Sequence, residues 1–145
     1  MSAMTIEAIQ KSVVVPLPPE KAFELFTARM GAWWPLGGRH SLFEEARTAE
    51  VEGRVGGRVY EISTDGEEGV WGTVTAWEPP HRLVYTWHPG RGEETAQEVE
   101  VLFIPDGEGT RVNLEHRGWE RAPGKRGSYD EGWDFVLGRY VEAAS

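Results

Sequence analysis

Residues 47–116 consist of short runs rich in β-branched and aromatic residues, each ended by residues that favour turns. Short strands separated in this way are typical of an antiparallel meander. This rhythm constrains the fold more than any other feature, because it leaves no room for a helix over about half of the chain. The interruptions fall at Gly53, Gly56, Gly57, Asp65, Gly66, Pro79, Pro80, Pro89, Gly90, Asp106 and Gly107.

Two runs near the end of this region alternate strictly between apolar and polar residues. A period of two gives each strand one face toward the core and one toward solvent. The predicted inward side chains are Val99, Val101 and Phe103 in the first run and Val112, Leu114 and His116 in the second.

The N-terminal part of the chain predicts one strand followed by one short helix. Residues 5–15 are rich in β-branched side chains, and Pro16 prevents a strand from continuing. Pro19 suits the first turn of a helix, and the residues after it form a one-sided apolar stripe. We therefore expect a short amphipathic helix that ends near Met30 and Gly31.

The C-terminal part predicts a longer amphipathic helix. Ser128 and Glu131 have the spacing of a capping box, which would place the start of the helix there. The dry side of the sheet is the only large apolar surface available to cover this helix, so we expect the helix to lie across it. Its apolar side chains recur at helical spacing: Tyr129, Trp133, Val136, Leu137, Tyr140 and Val141.

Tryptophan is unusually frequent, with seven in 145 residues. Large flat side chains bury much area but leave irregular gaps, so an aromatic-rich interior often frames a cavity. A solid core of bulky side chains is the alternative that the count alone leaves open.

Composition excludes several classes of function. The chain has no cysteine, which removes disulfides, thiolate nucleophiles and thiolate metal sites. A net charge of −9 disfavours nucleic acid and anionic membranes as partners. No run of residues is long and apolar enough to span a bilayer, and no secretory signal is visible, so a cytoplasmic location is expected. Residues 1–145 have the size of a single domain.

The order of these motifs resembles the bacterial branch of the Hsp90-ATPase-activator-like family, within the superfamily of START lipid-transfer domains, polyketide cyclases and the birch-pollen allergen. The resemblance covers nearly the whole chain. Its landmarks are Pro19-Glu20-Lys21-Ala22-Phe23, Trp33-Trp34-Pro35, Gly56-Gly57-Arg58-Val59-Tyr60-Glu61, Trp71-Gly72, Trp77-Glu78-Pro79-Pro80, Arg82-Leu83-Val84-Tyr85-Thr86-Trp87, Gly109-Thr110-Arg111-Val112, His116-Arg117-Gly118-Trp119 and Gly132-Trp133.

The resemblance implies an α+β helix-grip fold. In such a fold a curved antiparallel sheet of about seven strands wraps around a long C-terminal helix, and two short helices follow the first strand. Members of the superfamily commonly hold a cavity between helix and sheet. One scaffold serves lipid carriage, hormone sensing, ring closure and co-chaperone work, so the fold alone does not assign a function.

A binding or carrier role for a small apolar or aromatic molecule is the leading hypothesis. The expected ligand-binding residues are Trp71, Tyr85, Trp87, His116, Trp119 and Trp133. His116 continues a dry strand face, where an imidazole must be satisfied by a neighbour or serve a site. Both readings stay open, although a hydrogen-bonded core histidine is favoured.

Two other functions are alternatives. A cyclase or dehydratase would use His116 or Tyr85 for proton transfer. A co-chaperone-like module would bind a protein partner through its acidic surface, although activation of Hsp90 itself is not expected of a lone domain. No cofactor is expected, the histidines lack the spacing of a zinc motif, and the chain is expected to be a monomer or a homodimer.

The direction of Glu61 is ambiguous in the sequence. If its side chain pointed inward, it would be a buried carboxylate with a raised pKa or with an arginine partner such as Arg82. A surface ion pair is the favoured expectation, and the inward or outward direction of Tyr60 is equally open.

Overall fold

Seven antiparallel strands form one sheet with the order β1-β7-β6-β5-β4-β3-β2. The computed structural model describes residues 6–37 and 40–145. The strands are β1 (Ile9–Val15), β2 (Ala46–Val51), β3 (Arg58–Ser63), β4 (Glu68–Glu78), β5 (Arg82–Trp87), β6 (Gln97–Asp106) and β7 (Gly109–Arg117). The helices are α1 (Pro19–Phe26) and α2 (Arg126–Ala144), with a 3₁₀ turn at Met30–Ala32.

This architecture confirms the predicted helix-grip fold. Strands β2 to β7 follow one another as a meander, and β1 joins the far side of β7. The segment between β1 and β2, which contains α1 and the 3₁₀ turn, therefore connects the two edges of the sheet. No helix in the described ranges, 6–37 and 40–145, is long and apolar enough to cross a membrane.

The alternation predicted for the last two strands is confirmed. Val99, Val101 and Phe103 of β6 are buried, and so are Val112, Leu114 and His116 of β7. Their faces form the concave side of the sheet, which α2 covers with a face containing Trp133, Val136, Leu137 and Tyr140.

The sheet curls where β4 meets its neighbours. Register shifts interrupt the pairing between Val59 and Tyr60 and between Val74 and Ala76. Such irregularities bend a strand and increase its twist. Gly72 lies between them, and a Cβ added there would lie 1.7 Å from the carbonyl oxygen of Thr86. A glycine is therefore required for this close approach of the two chains.

Three predicted boundaries are wrong. Helix α1 ends at Phe26 and not near Met30 and Gly31, where a separate 3₁₀ turn lies. The first strand begins at Ile9 because its partner at that point is His116 and β7 ends one residue later, which leaves earlier residues without a ladder partner. Residue 5 of the predicted strand lies outside the described residues.

The predicted capping box is also wrong. Helix α2 begins at Arg126, with Lys125 at its N-cap, so Ser128 already lies within the first turn. The Ser128 hydroxyl donates to the carbonyl of Lys125 instead of capping a free backbone N–H group. No side chain caps this end of the helix.

Candidate functional site

A cavity of about 290 Å³ lies beside the N-terminal half of α2. Its walls come from α2, from β4 and the end of β5, and from the loop that follows the 3₁₀ turn. The lining residues are Trp34, His40, Ser41, Leu42, Trp71, Trp87, Pro89, Arg91, Lys125, Ser128, Tyr129, Gly132, Trp133 and Val136.

Four buried indoles form the inner wall: Trp34, Trp71, Trp87 and Trp133. Their ring centroids are separated by 4.8 Å for Trp34 and Trp71, 5.4 Å for Trp71 and Trp87, and 6.2 Å for Trp87 and Trp133. Tilted and edge-on contacts at these separations are the favoured geometries of aromatic pairs. The wall is therefore a continuous aromatic surface.

Hydrogen bonds fix three of the four rings. The indole N–H of Trp34 donates to the carbonyl of His40 at 2.8 Å, and that of Trp71 donates to Glu61 at 2.7 Å. The indole N–H of Trp133 donates to Nδ1 of His116 at 2.9 Å. Because protein acceptors already satisfy these three N–H groups, the rings offer the cavity their apolar surfaces.

Glu61 is fully buried, which shows that the surface ion pair favoured from the sequence is wrong. Its carboxylate accepts the indole N–H of Trp71 and the backbone N–H groups of Leu42 and Phe43. Arg82 instead pairs with Glu78 and Glu100 on the other side of the sheet. Glu61 thus ties the loop at residues 42–43 to the aromatic wall.

His116 is a core histidine, and both of its ring nitrogens have hydrogen-bond partners. Its Nε2 lies 3.1 Å from Oε1 of Gln97, and its Nδ1 accepts the indole N–H of Trp133. Since Nδ1 must be the acceptor, the proton is on Nε2 and is donated to Gln97. Burial lowers the pKa of His116 to about 3. The ring is therefore neutral at physiological pH and anchors Trp133.

Two buried polar atoms have no hydrogen-bond partner among the described residues, the hydroxyl of Tyr85 and the indole N–H of Trp87. The other buried tryptophans, at 33, 34, 71, 119 and 133, all donate to a protein acceptor. A buried donor without an acceptor is costly, and it commonly marks a site for water or a ligand. Trp87 also lines the cavity, so this unpartnered N–H group belongs to a residue of the site.

The six residues expected from the sequence fall into two groups. Trp71, Trp87 and Trp133 line the cavity. The other three, Tyr85, His116 and Trp119, are fully buried behind this wall. His116 lies against Trp119, with ring centroids 4.2 Å apart, and Tyr85 is 6.2 Å from Trp87.

Sequence reasoning missed several lining residues. Trp34 and Tyr129 had visible signals, since one belongs to a tryptophan pair and the other to the apolar stripe of α2. Arg91 and Lys125 had none, because both lie in loops or at an element end, where periodicity gives no direction. Tyr140, from the same apolar stripe of α2, lies in the closed core, where its hydroxyl donates to the carbonyl of Ala22.

The comparisons with known proteins give one family and one set of structures. The family model described as activator of Hsp90 ATPase homolog 1-like protein matches residues 16–143. No curated protein matches the chain.

Among solved structures, the anthrahydroquino-gamma-pyrone synthase Txn09, in complex with SUM, is 36% identical, with a TM-score of 0.67 over 95% of this chain and 97% of that chain. The Aha1 dimer from Colwellia psychrerythraea is 17% identical, with a TM-score of 0.72 over 96% of each chain. DynU16, from the dynemicin biosynthetic locus, is 21% identical, with a TM-score of 0.69 over 93% of this chain and 46% of that chain. The last two likenesses concern the fold alone.

Proposed function

This chain belongs to the activator of Hsp90 ATPase homolog 1-like family, and from that premise we propose that it binds a small aromatic molecule in the cavity beside α2. The observation that carries the proposal is the wall of four tryptophans around open volume. A fold of this kind supports a ligand-binding or cyclase-type role, and the aromatic wall favours a flat guest.

The size of the cavity favours a compact ring system. At about 290 Å³ the cavity volume lies just below the usual range for small-molecule sites, which begins at about 300 Å³. A long acyl chain would need a deeper site. Flat rings bury much area against indole faces with little loss of conformational entropy, which suits a wall of this composition.

The unpartnered N–H group of Trp87 supports a guest that carries oxygen. A carbonyl or phenol oxygen in the cavity would supply the acceptor that the protein lacks there. Such a bond satisfies a donor that is already desolvated, so it adds affinity without a further desolvation cost on the protein side.

Calorimetry on a variant with a larger side chain at the cavity tests the proposal. Isothermal titration calorimetry should detect binding, at one site per chain, of at least one member of a panel of naphthalene, anthraquinone and flavonoid derivatives. Ser128→Trp places a large ring at a lining residue and should weaken that binding by about tenfold or more, since it removes most of the available volume.

Ala143→Trp is the matched control, because it adds the same ring to an exposed position of α2 that is not part of the cavity. It should leave the affinity unchanged. Equal binding by both variants, or no binding of any panel member by the natural chain, would contradict the proposal.

Cyclase-type catalysis is a second candidate, favoured by the 36% identity to a gamma-pyrone synthase. The residues proposed for proton transfer are Tyr85 and His116. Burial raises the pKa of Tyr85, so its hydroxyl stays protonated and can act only as a donor. The Tyr85 hydroxyl has no protein partner, whereas both ring nitrogens of His116 are engaged in hydrogen bonds. Unchanged turnover of a substrate of that synthase by Tyr85→Phe and His116→Gln would exclude this role.

A further inference from the structure

The electrostatics of the cavity point to the charge of its guest. We propose that the ligand is an aromatic acid, whose rings lie among the tryptophans and whose carboxylate or equivalent anion lies near Arg91 and Lys125. This inference rests on the proposed function and adds to it the chemical class of the ligand.

Arg91 and Lys125 are two of the five described lysines and arginines without a protein partner. Of the fourteen described, seven form an ion pair with a carboxylate, and Arg121 and Arg126 donate to backbone carbonyls. The side chains for which no partner is found are Arg29, Arg47, Arg91, Lys125 and Arg139. Two of these line the cavity.

Within the described part of the chain, no aspartate or glutamate lines the cavity, although the sequence contains 24 of them. The carboxylate of Glu61, which contacts Trp71 of the wall, is occupied by three N–H donors. Asp130 of α2 is held by Lys11 at 3.1 Å. In an acidic protein, a wall with two cations and no carboxylate is a local reversal of charge, and it favours an anionic guest.

The N-terminus of α2 adds to this reversal. Free N–H groups give the start of a helix a partial positive charge, which acidic residues or a capping side chain usually offset. Helix α2 has neither a side-chain cap nor an acidic residue in its first turn. It instead has Lys125 at the N-cap, an arrangement unfavourable for the free protein that an anion in the cavity would relieve.

Paired probes of equal shape test the inference by calorimetry. 2-Naphthoate and 2-naphthamide differ in charge while sharing a ring system. The natural chain should bind naphthoate roughly tenfold more tightly than naphthamide, and added salt should reduce this preference. Arg91→Gln combined with Lys125→Gln should abolish the preference and leave the affinity for naphthamide unchanged.

The control variant combines Arg29→Gln with Arg139→Gln, which removes two exposed, unpaired cations away from the cavity. It should retain the preference for naphthoate. Lys125→Gln should also be at least as stable as the natural chain to denaturant, because the removed charge opposes the helix dipole.

The outcomes separate the two proposals. Equal affinity of the natural chain for both probes, or a preference that survives loss of Arg91 and Lys125, would overturn the inference and leave aromatic binding intact. Failure of both probes to bind would overturn the inference together with the proposed function for this ring size. A preference lost in both double variants would assign the effect to overall charge and would also overturn it.

Discussion

The imidazole of His116 is enclosed by the rings of Trp87, Trp119, Tyr129 and Trp133, and by the amide of Gln97. None of these groups carries a negative charge, and Nδ1 already accepts the indole N–H of Trp133, so burial lowers the pKa of the ring. The packing around His116 therefore keeps its ring neutral, and Nδ1 acts as a fixed acceptor for the indole N–H of Trp133.

This environment predicts a pH dependence of stability. The unfolded chain takes up a proton on His116 near pH 6.5, whereas the folded chain does so only near pH 3. Between these values the unfolded state binds more protons, so the free energy of unfolding should fall by up to about 1.4 kcal/mol for each unit that the pH drops. His116→Gln cannot titrate and should give a shallower slope in urea denaturation series.

Acidic residues shared by both proteins contribute equally to the two slopes, so their difference isolates His116. An NMR titration of the natural chain provides the second readout, in which the His116 ring should stay neutral from pH 7 to about 4.5. Identical slopes, or protonation of His116 near pH 6, would show that burial does not hold the ring neutral.

The hydrogen bonds of Glu61 should couple the tryptophan wall to the loop at residues 42–43. Glu61→Gln places an amide opposite three N–H donors, so at least one of them loses its acceptor, and stability should fall by about 1–3 kcal/mol. Amide hydrogen exchange at Leu42 and Phe43 should accelerate. Glu67→Gln, at an exposed carboxylate, is the control and should change neither quantity.

At the scale of the element, two of the three glycines of α2, Gly132 and Gly138, have different surroundings. A Cβ added at Gly138 would meet no atom within 4 Å, whereas one at Gly132 would reach 3.4 Å from the ring of His40 at the cavity. No neighbouring atom therefore requires a glycine at position 138. At position 132 the absence of a side chain preserves volume in the cavity.

Gly138→Ala should raise the free energy of unfolding by about 1 kcal/mol, because it adds helix propensity without a new contact. Gly132→Ala offers the same gain in propensity and should also reduce the affinity for a cavity probe. Thermal denaturation and calorimetry of the two variants measure these effects. A destabilised Gly138→Ala variant would contradict this account of the helix.

At the scale of the whole molecule, the interior is divided along α2. Below its C-terminal half, rings mesh closely, with centroids 5.3 Å apart for Phe26 and Tyr140 and 5.1 Å for Trp33 and Tyr140. Beside its N-terminal half, Trp133 borders open volume. The two readings of the tryptophan count, a solid core and a cavity, therefore both describe this protein, each at one end.

The spacing of apolar residues predicted the fold well, because the positions that face the core must be apolar. Val99 and Val101 are examples on β6, and Leu137 and Tyr140 are examples on α2. This spacing could not separate cavity wall from closed core, because both demand apolar inward faces. His116 was for this reason grouped with Trp87, although only Trp87 lines the cavity. The inward carboxylate of Glu61 was also out of reach, since the donors that satisfy it come from a distant loop.

The close spacing of the wall indoles has an optical consequence. At 4.8–6.2 Å, their electronic transitions couple, so the near-ultraviolet circular dichroism of the protein reflects the angles between ring planes and not the rings one by one. A guest that turns a single plane by a few degrees would change the whole band. The near-ultraviolet circular dichroism of the unlabelled protein would therefore report whether a guest occupies the cavity.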